Sequence, residues 1–171
     1  MKNKTVIIMG SSRSFGNTRR VVDEFLSINS NADLIDLNHY VFSYYDYEFR
    51  NASDDFDNLL KSILEYDIMV FATPIYWYTM SAQLKTFFDR ISDFLTDENK
   101  DIGRRFRGKN MAVISCGRDD ELFEGFIMPF KETANYLGMV YRDHLHVWIE
   151  NDLSISVNTH NKIKEFVRSI N

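Results

Sequence analysis

Five apolar, β-rich runs punctuate this chain, at Thr5–Met9, Asp33–Leu37, Asp67–Phe71, Met111–Ser115 and Met139–Trp148, and each is followed by a segment with helical spacing. Strand alternating with helix in this way predicts an α/β fold, a parallel sheet with helices on both faces joined by right-handed crossovers. Val6–Met9 and Ile68–Phe71 are continuous rather than alternating, which suits strands buried on both sides. The helical faces are Val21, Val22, Phe25, Leu26; Phe56, Leu59, Leu60, Ile63, Leu64; and Leu84, Phe87, Phe88, Ile91, Leu95. A fourth runs through Phe126, Ile127, Phe130, Ala134 and Leu137, where Pro129 must occupy a first turn or cause a kink. Ile163, Phe166, Val167 and Ile170 form the last.

At 171 residues the chain is expected to form a single domain, 1–171, with no linker or repeat beyond this rhythm. Its net charge of -5 argues against a nucleic-acid partner, whose phosphates call for clustered basic residues. Cys116 stands alone, so neither an internal disulfide nor a thiolate cage for a metal is available, and a reducing cytoplasm is the expected compartment. The apolar run before Gly10 is too short for a signal peptide. The uncharged stretch Ile68–Leu84 contains Pro74 and falls short of the roughly 20 apolar residues a membrane span needs.

Between the first strand and the first helix lies Gly10-Ser11-Ser12-Arg13-Ser14-Phe15-Gly16-Asn17-Thr18. A helix start offers unpaired N–H groups and a positive dipole end. The hydroxyls of Ser11, Ser12, Ser14 and Thr18 and the cation of Arg13 add donors suited to a phosphate monoester. Two other phosphate patterns fail on spacing. A Walker loop has four residues between its glycines and then Lys, whereas five separate Gly10 from Gly16 and Asn17 follows. A dinucleotide fingerprint requires glycine where Ser12 stands. A capped helix start behind a flexible loop remains an alternative.

After the third strand comes Thr73-Pro74-Ile75-Tyr76-Trp77-Tyr78-Thr79-Met80. Three consecutive aromatics at the end of a buried strand suit a flat ligand, a core cluster or a dimer interface. Pro74 stiffens the loop and would present the following amides as a shelf. In the strand order 2-1-3-4-5, strands one and three are neighbours, and ligands bind at their carboxyl ends where the order reverses.

The segments Gly-Ser-x-Arg-x-x-Gly-Asn-Thr at Gly10–Thr18 and Thr-Pro-x-Tyr-Trp at Thr73–Trp77 resemble the NAD(P)H-dependent FMN reductase branch of flavodoxin-like proteins. Ser81-Ala82-Gln83-Leu84-Lys85 and Phe88-Asp89-Arg90 extend the likeness. The resemblance implies a five-stranded flavodoxin-like sheet with FMN as cofactor and NAD(P)H as co-substrate. It implies that Ser11, Arg13, Ser14, Gly16, Asn17 and Thr18 hold the FMN phosphate. Pro74, Ile75, Tyr76 and Trp77 would line the isoalloxazine, and Gly117 would close a third side. A hydride would pass from NAD(P)H through FMN to a flavin, quinone or similar small acceptor, with the flavin doing the chemistry and no side chain acting as acid or base. A homodimer or homotetramer is also implied. Related iron–sulfur flavoproteins carry clustered cysteines after the second strand; Tyr40–Tyr47 here has none. The alternatives are a flavodoxin-type electron carrier, which usually lacks an arginine such as Arg13 in its loop, and a non-enzymatic phosphate-binding module.

Other features are assigned modest roles. Cys116 lacks the arginine of a phosphatase loop, since Leu122 stands at that position, and is read as a small buried residue. His144 and His146 share one face of the last strand without an evident third metal ligand. Asp89 and Arg90 are expected on a helix surface or at a dimer contact. Arg104, Arg105, Arg107 and Lys109 form a basic patch, read as solvated charge or as a contact to dinucleotide phosphates of a neighbouring subunit. Tyr40–Ser53 and Asp97–Gly108 read as the longest irregular stretches.

Overall fold

A computed structural model describes residues 3–149 and 154–171; Met1 and Lys2 of the amino-terminal stretch lie outside it. The elements run β1 (Thr5–Met9), α1 (Asn17–Ile28), β2 (Ala32–Asp36), α2 (Phe56–Ile63), β3 (Ile68–Pro74), α3 (Ala82–Arg90), α4 (Lys100–Gly103), β4 (Asn110–Gly117), α5 (Met128–Leu137), β5 (Val140–Trp148) and α6 (Val157–Ile170). The sheet order is β2-β1-β3-β4-β5, with each pairing parallel. Met9 pairs with Ala72 and Ser115 with His146, so the carboxyl ends of β1, β3, β4 and β5 form one rim.

Burial follows from the pattern. All of β1 is buried, as is β3 apart from Pro74, because apolar side chains leave both faces of each strand. On one face Phe71, Met69 and Val113 meet Phe56, Leu60, Phe87 and Phe130 from α2, α3 and α5. On the other, Ile7, Val70 and Ile114 meet Val21, Phe25, Phe166 and Ile170 from α1 and α6. Each such side chain contributes about 1.5–3 kcal/mol when taken from water. Gly10 lets α3 approach β1 closely, since a Cβ there would stand 2.7 Å from Cβ of Leu84.

Several boundaries move for local reasons. β3 extends past Phe71 to Pro74 and β4 past Ser115 to Gly117, because the two strands keep pairing up to Pro74 opposite Cys116 and the Ile75 N–H still donates to the Cys116 carbonyl at 2.8 Å. β5 starts at Val140 rather than Met139, whose N–H is claimed by the end of α5 through the Ala134 carbonyl after Gly138 turns left-handed at φ 71°. Leu37 leaves β2 for a 3₁₀ turn in which the Asp36 carboxylate accepts the Asn38 N–H. Pro129 occupies the first turn of α5. The segment 97–108 is not irregular: it holds α4 and a 3₁₀ turn at Arg104–Phe106 that buries Phe106.

Arg90 departs most from expectation. It is 2% exposed rather than on a surface, and donates to both carboxylate oxygens of Asp54, to Asp93 and to the carbonyls of Ser43 and Asn51. Its guanidinium also lies 4.8 Å from the ring centroid of Phe56. These bonds tie the 43–54 segment to α3 in place of a strand ladder. Asp89, by contrast, does lie at the surface and pairs with Lys85.

Candidate functional site

The loop after β1 ends in the uncapped start of α1. Gly16 is extended, no side chain accepts from the first turn, and no acid stands there. A twelve-residue helix with this terminus presents its first amides and the positive end of its dipole to whatever sits above it. The loop is shaped from outside by residues not named as site residues in the sequence. Asn38 donates through Nδ2 to the Ser11 carbonyl at 2.7 Å and to Ser14 Oγ at 3.3 Å, while Gln83 Nε2 donates to Asn38 Oδ1. Ser81 caps α3 and donates its hydroxyl to the Gly10 carbonyl at 2.8 Å. Gln83 lay within the family-like segment, whereas Asn38 carried no sequence signal.

Thr18 is buried at the start of α1, close to the Cys116 thiol. Ser11 is also buried, with Oγ 3.5 Å from the Arg13 N–H. Ser14, Gly16 and Asn17 complete the turn, and the Arg13 guanidinium lies alongside Gly16.

The aromatic segment closes as a four-residue turn in which Tyr76 and Thr79 exchange backbone hydrogen bonds at 2.9 and 3.1 Å. Trp77 and Tyr78 both adopt positive φ, 48° and 67°, which places them in the left-handed region and costs about 1–2 kcal/mol each for residues with a Cβ. The expected amide shelf is displaced. The Ile75 and Tyr76 N–H groups are consumed within the fold, and among the described residues those of Trp77 and Tyr78 have no hydrogen-bond acceptor. Trp77 is 91% exposed. The Ser12 hydroxyl meets the Tyr76 phenol at 2.9 Å, so the two loops touch.

Beside this turn opens a cleft of about 650 Å³ lined by Ile75, Tyr76, Trp77, Gly117, Asp119 and Phe123, among others. Phe123 packs edge-on to Tyr78 at 4.8 Å between ring centroids. Pro74 ends β3 beneath it and Gly117 ends β4 opposite. The structure thus brings Ser11, Arg13, Ser14, Gly16, Asn17 and Thr18 to one end of the rim and Pro74, Ile75, Tyr76, Trp77 and Gly117 to the adjoining part. An anion seat next to a flat-walled cleft of this size fits FMN.

The remaining candidates fall elsewhere. Burial pushes the Cys116 thiol up to about 12, which keeps it protonated at neutral pH. Arg104 pairs with Asp101 and Arg105 with Glu65, and Arg107 and Lys109 precede β4 at the amino end of the sheet, opposite the cleft. His144 is exposed, whereas His146 is half-buried and bonded on both ring nitrogens.

A 2-1-3-4-5 parallel sheet with such a rim is the flavodoxin-like architecture of FMN reductases. Residues 3–153 match the NADPH-dependent FMN reductase family, and the chain belongs to that family of flavoprotein oxidoreductases. It is 32% identical over 151 residues to the putative NAD(P)H-dependent FMN-containing oxidoreductase YwqN of Bacillus subtilis, covering 83% of each chain. An iron–sulfur flavoprotein of Archaeoglobus fulgidus is 25% identical over 130 residues, which span 70% of this chain and 58% of that one. Among solved structures, the Trp repressor binding protein of Bacillus subtilis superposes with a TM-score of 0.76 at 26% identity, covering 98% of both chains.

Proposed function

We propose that this chain is an FMN-dependent NAD(P)H oxidoreductase whose cofactor phosphate sits on Gly10–Thr18 and whose isoalloxazine lies in the cleft between Ile75–Trp77 and Gly117. The observation that supports it most is the contact of the two loops through Ser12 and Tyr76, which sets the anion seat and the flat cleft side by side. When bound, FMN supplies the hydride chemistry.

The chain's own residues bind and orient. The amides at the start of α1, the hydroxyls of Ser11 and Ser14 and the Arg13 cation hold the phosphate. The unclaimed N–H groups of Trp77 and Tyr78 are placed to meet the polar edge of the ring, and Tyr76 and Trp77 cover its plane and exclude water. The open side of the cleft admits nicotinamide and then a small planar acceptor such as a flavin or quinone in turn. We further propose a homodimer or homotetramer that shelters the exposed Trp77 and Tyr78, and a cytoplasmic location suited to a lone reduced cysteine. Among the described residues no helix is long and apolar enough to cross a membrane.

The test is FMN titration followed by anaerobic mixing with NADPH and NADH. Tight binding and bleaching of the flavin absorbance are expected. Binding without bleaching would make the protein an electron carrier, and absence of binding would leave a phosphate-binding module. Arg13→Ala should weaken FMN by about ten- to a hundredfold, the scale of a charge-assisted phosphate contact.

A further inference from the structure

His146, near the end of β5, faces the same side of the sheet as Ser115 and Gly117 at the end of β4. Its Nδ1 lies 2.9 Å from the hydroxyl of Ser115, which is fully buried, and its Nε2 lies 3.1 Å from the carbonyl oxygen of Asp119. A carbonyl only accepts, so in the neutral ring Nε2 carries the proton and Nδ1 accepts a hydrogen bond from the Ser115 hydroxyl. The ring is also fitted against Gly117: a Cβ there would stand 2.8 Å from Cε1 and 3.1 Å from Nε2. The Asp119 carbonyl sets the tautomer and the Ser115 hydroxyl turns to suit it, the imidazole spans the gap left by the missing side chain, and the N–H fixes the backbone of the loop that walls the cleft at Gly117, Asp119 and Phe123.

We propose that His146 is a positioning residue for the flavin, holding the Gly117–Phe123 wall through the Asp119 carbonyl without touching the cofactor. The proposal rests on the reading that this wall faces FMN. It explains why a histidine stands on a partly exposed face without metal partners among the described residues. It also assigns Gly117 a reason beyond loop flexibility, since any side chain would expel the ring.

The experiment is FMN titration of wild-type protein, His146→Gln and His146→Ala, with flavin fluorescence and thermal melting of the flavin-free proteins. Gln can extend an amide N–H toward the Asp119 carbonyl, so His146→Gln should keep affinity within about threefold, while His146→Ala should weaken it by about tenfold, with the two variants melting alike because each deprives the buried Ser115 hydroxyl of its Nδ1 acceptor. Long-range ¹⁵N spectra of wild-type imidazoles should show His146 as the Nε2–H tautomer, a readout that needs neither a variant nor cofactor. Equal FMN affinity in all three proteins, equal weakening by Gln and Ala, or an Nδ1–H tautomer would overturn the proposal. Failure of wild-type protein to bind FMN, with the tautomer as expected, would instead overturn the flavin reading and leave His146 as a loop anchor alone.

Discussion

The hydroxyl of Ser12 and the phenol oxygen of Tyr76 lie 2.9 Å apart across 64 positions of sequence, joining the loop after β1 to the turn after β3. Either oxygen can donate, and the pair sits at the surface, so its value lies in registering two loops more than in stabilising the sheet. Tyr76→Phe keeps the ring and removes the bond. The expected result is an FMN dissociation constant raised by about fivefold, or about 1 kcal/mol, with the urea midpoint of the flavin-free protein unchanged.

The turn at Trp77 and Tyr78 stores strain in two left-handed residues. Replacing the pair by Asn-Gly, the residues this turn favours, should raise the melting temperature of the flavin-free protein. The same change removes the exposed indole and should weaken FMN binding. A variant that binds FMN as tightly as wild type would show that Trp77 has no part in covering the ring.

Arg90 anchors the 43–54 segment by charge rather than by packing alone. Arg90→Met leaves Asp54 and Asp93, each mostly buried, without their cation, and should cost about 3 kcal/mol in chemical denaturation. The pH dependence carries a defined sign. Burial pushes the Asp54 carboxyl up, but the Arg90 guanidinium and the Ser43 and Phe56 N–H groups outweigh it and hold its pKa below the ordinary 3.8. A depressed carboxylate adds stability above the unfolded value and loses it as pH falls through the folded one. Wild-type protein should therefore lose stability below about pH 4, and Arg90→Met should show a shallower loss over that window.

Cys116 should be inert in the folded protein. With its thiol pushed up to about 12 by burial, iodoacetamide at pH 8 should not label it until the chain is unfolded in guanidinium. Rapid labelling of native protein would mean that the packing over the end of β4 opens in solution.

The two loops of the candidate site were legible because each is local. Gly10–Thr18 lies between a strand and a helix whose periodicities are read over a dozen residues, and Thr73–Trp77 follows the most continuous apolar run. Asn38, Gln83 and His146 were not legible as site residues. Asn38 and His146 bond loop carbonyls brought near only by a crossover, and Gln83 bonds the Asn38 side chain, so nothing adjacent in sequence marks which partner each will meet. Arg90 was misplaced for a related reason: helical spacing put it beside Asp89, on a face that looks solvated until the 43–54 segment folds over it.

What the sequence determined by itself is the alternation of strands and helices, hence a parallel sheet, and the two loops that its first and third strands deliver to one rim. Those follow from side-chain period and turn chemistry, which act over a few residues. The tertiary structure decided how those loops are finished: the left-handed turn that frees the Trp77 and Tyr78 amides, the Asn38 brace, and the Ser115–His146–Asp119 chain behind the cleft. These depend on which polar groups are left unsatisfied once the sheet has closed, and that is settled only when distant segments compete for the same donors and acceptors.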